Sequence, residues 1–107
     1  MSDRLPPGFA RDEAGRLLIA GRSAEDWAGA HDTPLFVYDR ALLTARVTAF
    51  RAAMPPSLLL HYAIKANPMP ALVAHMAGLV DGFDVASAGE MQVALDAGVP
   101  ATDVSFA

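Results

Sequence analysis

Apolar positions in this chain fall into short blocks separated by glycine, proline and charged residues. Arg16-Leu-Leu-Ile-Ala20, closed by Gly21, predicts a short strand. Ser23 stands where an N-cap would start a helix over Ala24–Ala30, with Asp26 three residues on as a weak capping-box partner. Thr33-Pro34 breaks that helix, and the β-branched and aromatic Leu35-Phe-Val-Tyr38 predicts a strand. Asp39 then caps a helix carrying Leu42, Leu43, Val47 and Phe50 near helical spacing, which ends at Pro55-Pro56. Leu58-Leu-Leu-His-Tyr-Ala-Ile-Lys65 is almost continuously apolar and reads as a parallel strand covered on both faces.

After Asn67-Pro-Met-Pro70, a helix is expected with Leu72, Val73, Met76 and Leu79 on one side. Gly82-Phe-Asp-Val-Ala86 predicts another buried strand. Ser87-Ala-Gly-Glu90 is a full capping-box pattern opening a helix that Gly98 closes, and Val104-Ser-Phe-Ala107 begins a further strand. From about residue 35 the order is β, α, β, α, β, α, β, which argues for parallel βαβ units with right-handed crossovers. Residues 1–15, with Pro6, Pro7, Gly8 and Gly15 among charges, read as an irregular arm. The last residues lie in an apolar strand, so the chain is expected to be the front of a longer one.

Composition narrows the class. The chain has 107 residues, 53% of them hydrophobic, and a formal net charge of −4, which suits at most one domain and excludes intrinsic disorder. An acidic balance argues against nucleic acid as a partner. Without cysteine there is no disulfide, Cys-ligated zinc or thiol nucleophile. No signal peptide and no bilayer-spanning run is visible, so a cytoplasmic protein without membrane contacts is expected.

Of the eight basic residues, seven are arginine and one is lysine, Lys65, at the end of a predicted strand. That is the end where parallel α/β sheets and barrels carry their active sites. A lysine near an apolar interior is desolvated, which favours the neutral amine that a nucleophilic, imine-forming lysine needs. The alternative is a strand-end lysine that reaches into solvent. Alternation puts Leu59, His61, Ala63 and Lys65 on one face. Asp84, in the next strand, either neighbours Lys65 or bonds to nearby backbone. Glu90 caps its helix, a role compatible with facing the site. His61 reads as a hydrogen-bonded core histidine, and Tyr62 and Trp27 as packing residues. His31, His61 and His75 show no ligand spacing, so no metal is expected.

Tyr62-Ala-Ile-Lys-Ala-Asn-Pro68 resembles the cofactor-lysine signature of the ornithine/diaminopimelate/arginine decarboxylase family, the alanine-racemase-like pyridoxal phosphate enzymes. Thr33-Pro-Leu-Phe-Val-Tyr-Asp39, Gly82-Phe-Asp-Val-Ala-Ser-Ala-Gly-Glu90, and Ala97-Gly-Val-Pro100 followed by Val104-Ser-Phe are similar to further blocks in the family's order. Asn67-Pro-Met-Pro-Ala71 and His75–Gly82 resemble its exosortase-associated branch. Val80 departs from the family's pattern, where a glycine often ends the helix.

The resemblance implies an α/β fold: an incomplete (β/α)8 barrel formed by residues 35–107, preceded by residues 1–34, an arm with a strand of a β-domain. It implies pyridoxal 5′-phosphate as cofactor, with Lys65 forming the internal aldimine, Asp84 binding beside it and Glu90 near them; the alternation above adds Ala63 and His61 around them. The activity implied is that of an amino-acid decarboxylase, homodimeric when full length. The alternatives are a racemase of the same fold, disfavoured by the lack of a tyrosine-containing loop after Ala66-Asn67, and a non-catalytic pyridoxal phosphate-binding or regulatory relative. A complete barrel takes about 250 residues. The 107 residues alone are therefore expected to be inactive, with the phosphate-binding and substrate-binding groups beyond Ala107.

Overall fold

The computed structural model describes residues 4–107, so Met1–Asp3 of the expected irregular arm lie outside the described residues. The chain divides into two compact units, one ending at Leu43 and the other beginning at Thr44.

The first unit is built on an antiparallel meander of β1 (Ala10–Arg11), β2 (Leu17–Ile19) and β3 (Arg22–Ser23). Asp12 organises the β1–β2 turn. Its Oδ1 accepts from the Ala14 and Arg16 backbone N–H groups, and its Oδ2 meets Arg16 Nε at 2.7 Å. The Arg16 N–H, with help from the guanidinium, holds the Asp12 carboxyl below its ordinary range. Ala20 and Gly21 join β2 to β3 with φ of 52° and 78°. Two positive φ values in a two-residue loop give the twist that a tight hairpin needs. Neither β1 nor β3 was expected, because two-residue strands leave too short a pattern to read.

Helix α1 (Ala24–Ala30) starts as predicted: buried Ser23 accepts from Asp26 N–H at 3.1 Å. Trp27 does more than pack. Its indole N–H donates to the Ile19 carbonyl at 2.8 Å, and the Arg22 guanidinium lies 4.3 Å from its ring centre. The strand expected over Leu35–Tyr38 is not formed: the segment pairs with no strand among the described residues, and Phe36 is 88% exposed. β-propensity without a ladder partner does not make a strand.

Helix α2 (Arg40–Ala53) runs across the boundary between the units, its start capped by Asp39 Oδ1 accepting from Ala41 N–H at 2.8 Å. The second unit continues with β4 (His61–Ala63), a 3-10 turn (Ile64–Ala66), α3 (Pro70–Ala77), β5 (Gly82–Val85), α4 (Ala88–Asp96), a second 3-10 turn (Ala101–Asp103) and β6 (Val104–Phe106). The three strands are parallel and lie in chain order, with Ala63 opposite Asp84 and Asp84 opposite Ser105. The alternation expected from the sequence is therefore present from β4 onward.

Its core joins Leu72, Val73 and Met76 of α3, Ala94 of α4, Phe83 and Val85 of β5, with Ile64 and Val99, all buried. Complete burial of Phe83 or Val85 contributes about 1.5–3 kcal/mol each. Two polar ties hold α2 to this layer. Thr44 Oγ1 bonds His75 Nε2 at 3.0 Å, and Arg51 donates to the Leu79 carbonyl while meeting Asp81 Oδ2 at 3.1 Å.

The eight-residue strand expected over 58–65 is much shorter. Leu58 closes a turn by donating to the Pro55 carbonyl, and Leu59 is 73% exposed. At the other end the backbone turns at Ile64, so alternation stops at Ala63 and does not assign a face to Lys65.

Candidate active site

Side chains of the parallel sheet divide by register. Tyr62, Phe83 and Val85 share the face that meets the core, where Tyr62 and Phe83 pack edge to face at 6.0 Å. His61, Ala63, Gly82, Asp84 and Ser105 share the other face, which is small and polar. His61, Ala63 and Asp84 are half-buried there and Ser105 is exposed.

Lys65 lies just past the carboxyl end of β4, in the middle of the 3-10 turn, with its neighbour Ile64 fully buried. On the other side, Tyr62 Oη donates to the Asn67 carbonyl at 2.9 Å and Asn67 Oδ1 accepts from Met69 N–H at 3.0 Å. The turn is thus anchored by Ile64 before the lysine and by Asn67 after it. Tyr62 and Asn67 were not expected to do this. Asn67-Pro68 was the available signal, since asparagine side chains commonly bond the backbone two residues on. Lys65 itself is exposed, not desolvated, and makes no hydrogen bond or ion pair among the described residues.

Asp84 stands beside Ala63 at the same edge of the neighbouring strand. Its partner is His61: Nδ1 lies 2.9 Å from Asp84 Oδ1. A carboxylate only accepts, so Nδ1 carries the proton of this bond. The imidazole sits over Gly82. A Cβ on Gly82 would lie 2.7 Å from His61 Nε2 and 2.6 Å from the Asp103 carbonyl oxygen, so the missing side chain is what seats the ring.

Below this edge, Asp81 Oδ2 accepts from Leu60 N–H at 2.7 Å. That bond, with Arg51 beside it, holds the Asp81 carboxyl below its ordinary range. Glu90 faces the start of α4. Ser87 Oγ accepts from Glu90 N–H at 3.1 Å, and Glu90 Oε1 accepts from Ala86 N–H at 3.1 Å, one residue earlier than a standard capping box. No group of three or more histidine, aspartate or glutamate side chains able to hold a metal is present among the described residues.

Residues 40–107 match the family described as pyridoxal-dependent decarboxylase, pyridoxal binding domain. The chain belongs to this family. It is 39% identical over 93 residues to diaminopimelate decarboxylase of Aquifex aeolicus and 38% identical over 109 residues to that of Mycobacterium leprae, matching 87% and 98% of this chain. Each match spans 22% of the relative's length. A crystal structure from Aquifex aeolicus superposes on 94% of the chain with a TM-score of 0.84 at 36% identity, using 25% of its own length. Diaminopimelate decarboxylase from M. jannaschii in complex with L-lysine gives 0.75 at 26% identity, over 94% of this chain and 24% of its own. The α/β fold expected from the residue pattern is therefore that of the amino-terminal part of these decarboxylases.

Proposed function

We propose that this chain supplies the lysine-bearing part of a pyridoxal 5′-phosphate-dependent amino-acid decarboxylase, with residues 35–107 forming the first βα units of a (β/α)8 barrel and residues 1–34 belonging to a β-domain. The observation that carries the reading is Lys65, an accessible primary amine on an anchored turn at the carboxyl end of a parallel strand. The residues fit the cofactor. Lys65 is the one lysine of the chain, and Ala63, the last residue of β4, adds little bulk beside it.

Lys65 would hold the cofactor covalently, and its exposed Nζ is free to do so. Asp84 places a carboxylate at the same edge, Glu90 fixes the start of α4, and His61 holds Asp84. When bound, the cofactor supplies the electron sink for loss of CO₂. The relatives are named for diaminopimelate, and a substrate of that class, an α-amino acid, is the one proposed here. Assembly as a homodimer belongs to the same reading. No helix among the described residues is long and apolar enough to cross a membrane, which agrees with the cytoplasmic location proposed.

Three parallel strands do not close a barrel, so the 107 residues by themselves are expected to carry the cofactor lysine without turning over substrate. The test is incubation with pyridoxal 5′-phosphate, borohydride reduction and peptide mass analysis. Adduct on Lys65, lost in Lys65→Ala, supports the reading. Release of CO₂ from amino acids by these residues alone would refute the division of labour, and an unmodified Lys65 would refute the cofactor assignment.

A further inference from the structure

On the polar face of the parallel sheet, His61 and Asp84 are not opposite each other. In register His61 faces Gly82 and Asp84 faces Ala63, so the bond between them is a diagonal one. The imidazole crosses to β5 because Gly82 leaves room for it: a Cβ there would lie 2.7 Å from Nε2 and 2.8 Å from Cε1. From that seat Nδ1 meets Asp84 Oδ1 at 2.9 Å, which turns this oxygen toward Gly82. Asp84 Oδ2 bonds to nothing among the described residues, and neither does the hydroxyl of Ser105, its neighbour on β6. Asp81, the other carboxylate near His61, is taken by Leu60 N–H and Arg51. Among the described residues, His61 is therefore the single side chain that fixes how the Asp84 carboxylate lies.

We propose that His61 is a positioning residue that locks the Asp84 carboxylate in one orientation and leaves Oδ2 as the oxygen offered to the cofactor. This rests on the reading above, in which pyridoxal 5′-phosphate occupies this edge of the sheet with Asp84 beside it. A carboxylate without a partner turns among about three staggered χ1 positions. Tied at Oδ1 it keeps one of them, and an acceptor held ready does not have to be ordered when the ligand arrives. The two side chains are 30% and 45% exposed, so the pair adds little to stability and its effect is on orientation. Ala63, opposite Asp84, has no polar group to take over if His61 is lost.

The first measurement uses the full chain and no cofactor. Three-bond couplings across the Asp84 Cα–Cβ bond should report one χ1 rotamer, and nitrogen NMR of the His61 ring should place the proton on Nδ1. His61→Phe keeps a ring without the donor and should give averaged couplings at Asp84. His61→Asn sets an amide N–H near the position of Nδ1 and should restore a single rotamer. His61→Gln sets its amide near the position of Nε2 and should not, so it reads the same effect if His61→Phe fails to fold.

The second measurement titrates the same proteins with pyridoxal 5′-phosphate under borohydride trapping. Lys65 is the only lysine, so the amino terminus is the one other amine and serves as an internal reference. With one orientation in three competent, the half-saturating concentration for Lys65 should rise about threefold in His61→Phe and His61→Gln, and not in His61→Asn. In an Asp84→Ala background the His61 variants should all label alike. Averaged Asp84 couplings in the wild type, an Nε2–H ring there, or a single Asp84 rotamer in both non-rescuing variants would overturn the inference. So would an unchanged half-saturation once the rotamer is freed, or a His61 effect that persists without Asp84. Failure of Lys65 to label while the amino terminus does would overturn the cofactor-lysine reading instead.

Discussion

Replacing Gly82 by alanine is a sharp probe of how the sheet is assembled. On an open strand surface the change would be mildly favourable, since alanine reduces the freedom of the unfolded chain by about 0.4–1 kcal/mol. At Gly82 the added methyl would stand 2.6 Å from the Asp103 carbonyl oxygen and 2.7 Å from His61 Nε2. The imidazole can rotate away by giving up its bond to Asp84, worth about 0.5–1.5 kcal/mol. The Asp103 carbonyl cannot, because it is backbone at the end of the turn that leads into β6. Overpacking of this kind costs about 1–3 kcal/mol. Set against the unfolded-state gain, the net loss should be about 1–2 kcal/mol. In urea, with a slope of about 1 kcal/mol per molar for a chain this small, the midpoint should fall by about 1–2 M. In a His61→Ala background, which already lacks that bond, Gly82→Ala should cost only the carbonyl share. A midpoint equal to or above wild type would mean that His61 and Asp103 do not converge on this glycine.

Three further outcomes follow from local geometry. Ser87→Ala should destabilise by about 0.5–2 kcal/mol in chemical denaturation, because the N–H of Glu90 loses its acceptor; a loss below a few tenths would remove the capping argument. Tyr62→Phe should lower stability by about 0.5–1.5 kcal/mol and loosen the turn after Lys65, seen as faster amide hydrogen exchange at Met69, and unchanged exchange there would show that the phenol does not hold the turn. Asp81 has its carboxyl depressed below 3.8 by Leu60 N–H and Arg51, so its contribution is present above that value and is lost as pH falls below it. Asp81→Asn should flatten the acid limb of a stability-versus-pH curve below about pH 4, and an unaltered limb would remove Asp81 from acid unfolding.

Much of this was legible in the residue pattern, for identifiable reasons. Ser23, Asp39 and Ser87 announce their helices because capping uses one side chain and the backbone within three residues of it. The parallel strands from β4 onward were readable because apolar runs alternate with helical periods over whole elements. Leu35–Tyr38 misled because strand formation depends on a neighbour that the local sequence does not contain. Leu58–Lys65 misled for a related reason. An unbroken apolar run does not mark where the backbone leaves the ladder, and here it leaves at Ile64, a residue whose own type favours a strand. Lys65 was singled out by its place at the end of an apolar run, but the His61–Asp84 bond was not legible. It joins residues 23 apart in sequence and depends on the absence of a side chain at Gly82.

The anchored turn around Lys65 has a consequence for motion. Ile64 is locked in the core and Asn67 is held from two sides, so the Cα of Lys65 is a fixed pivot, while its four side-chain torsions meet no partner among the described residues. Exposed side chains of this kind change rotamer in picoseconds to nanoseconds, whereas rearranging a loop takes nanoseconds to microseconds. The amine can therefore sweep its whole reach without waiting for the backbone. Its repositioning is then governed by the torsional freedom of one side chain and not by a hinge.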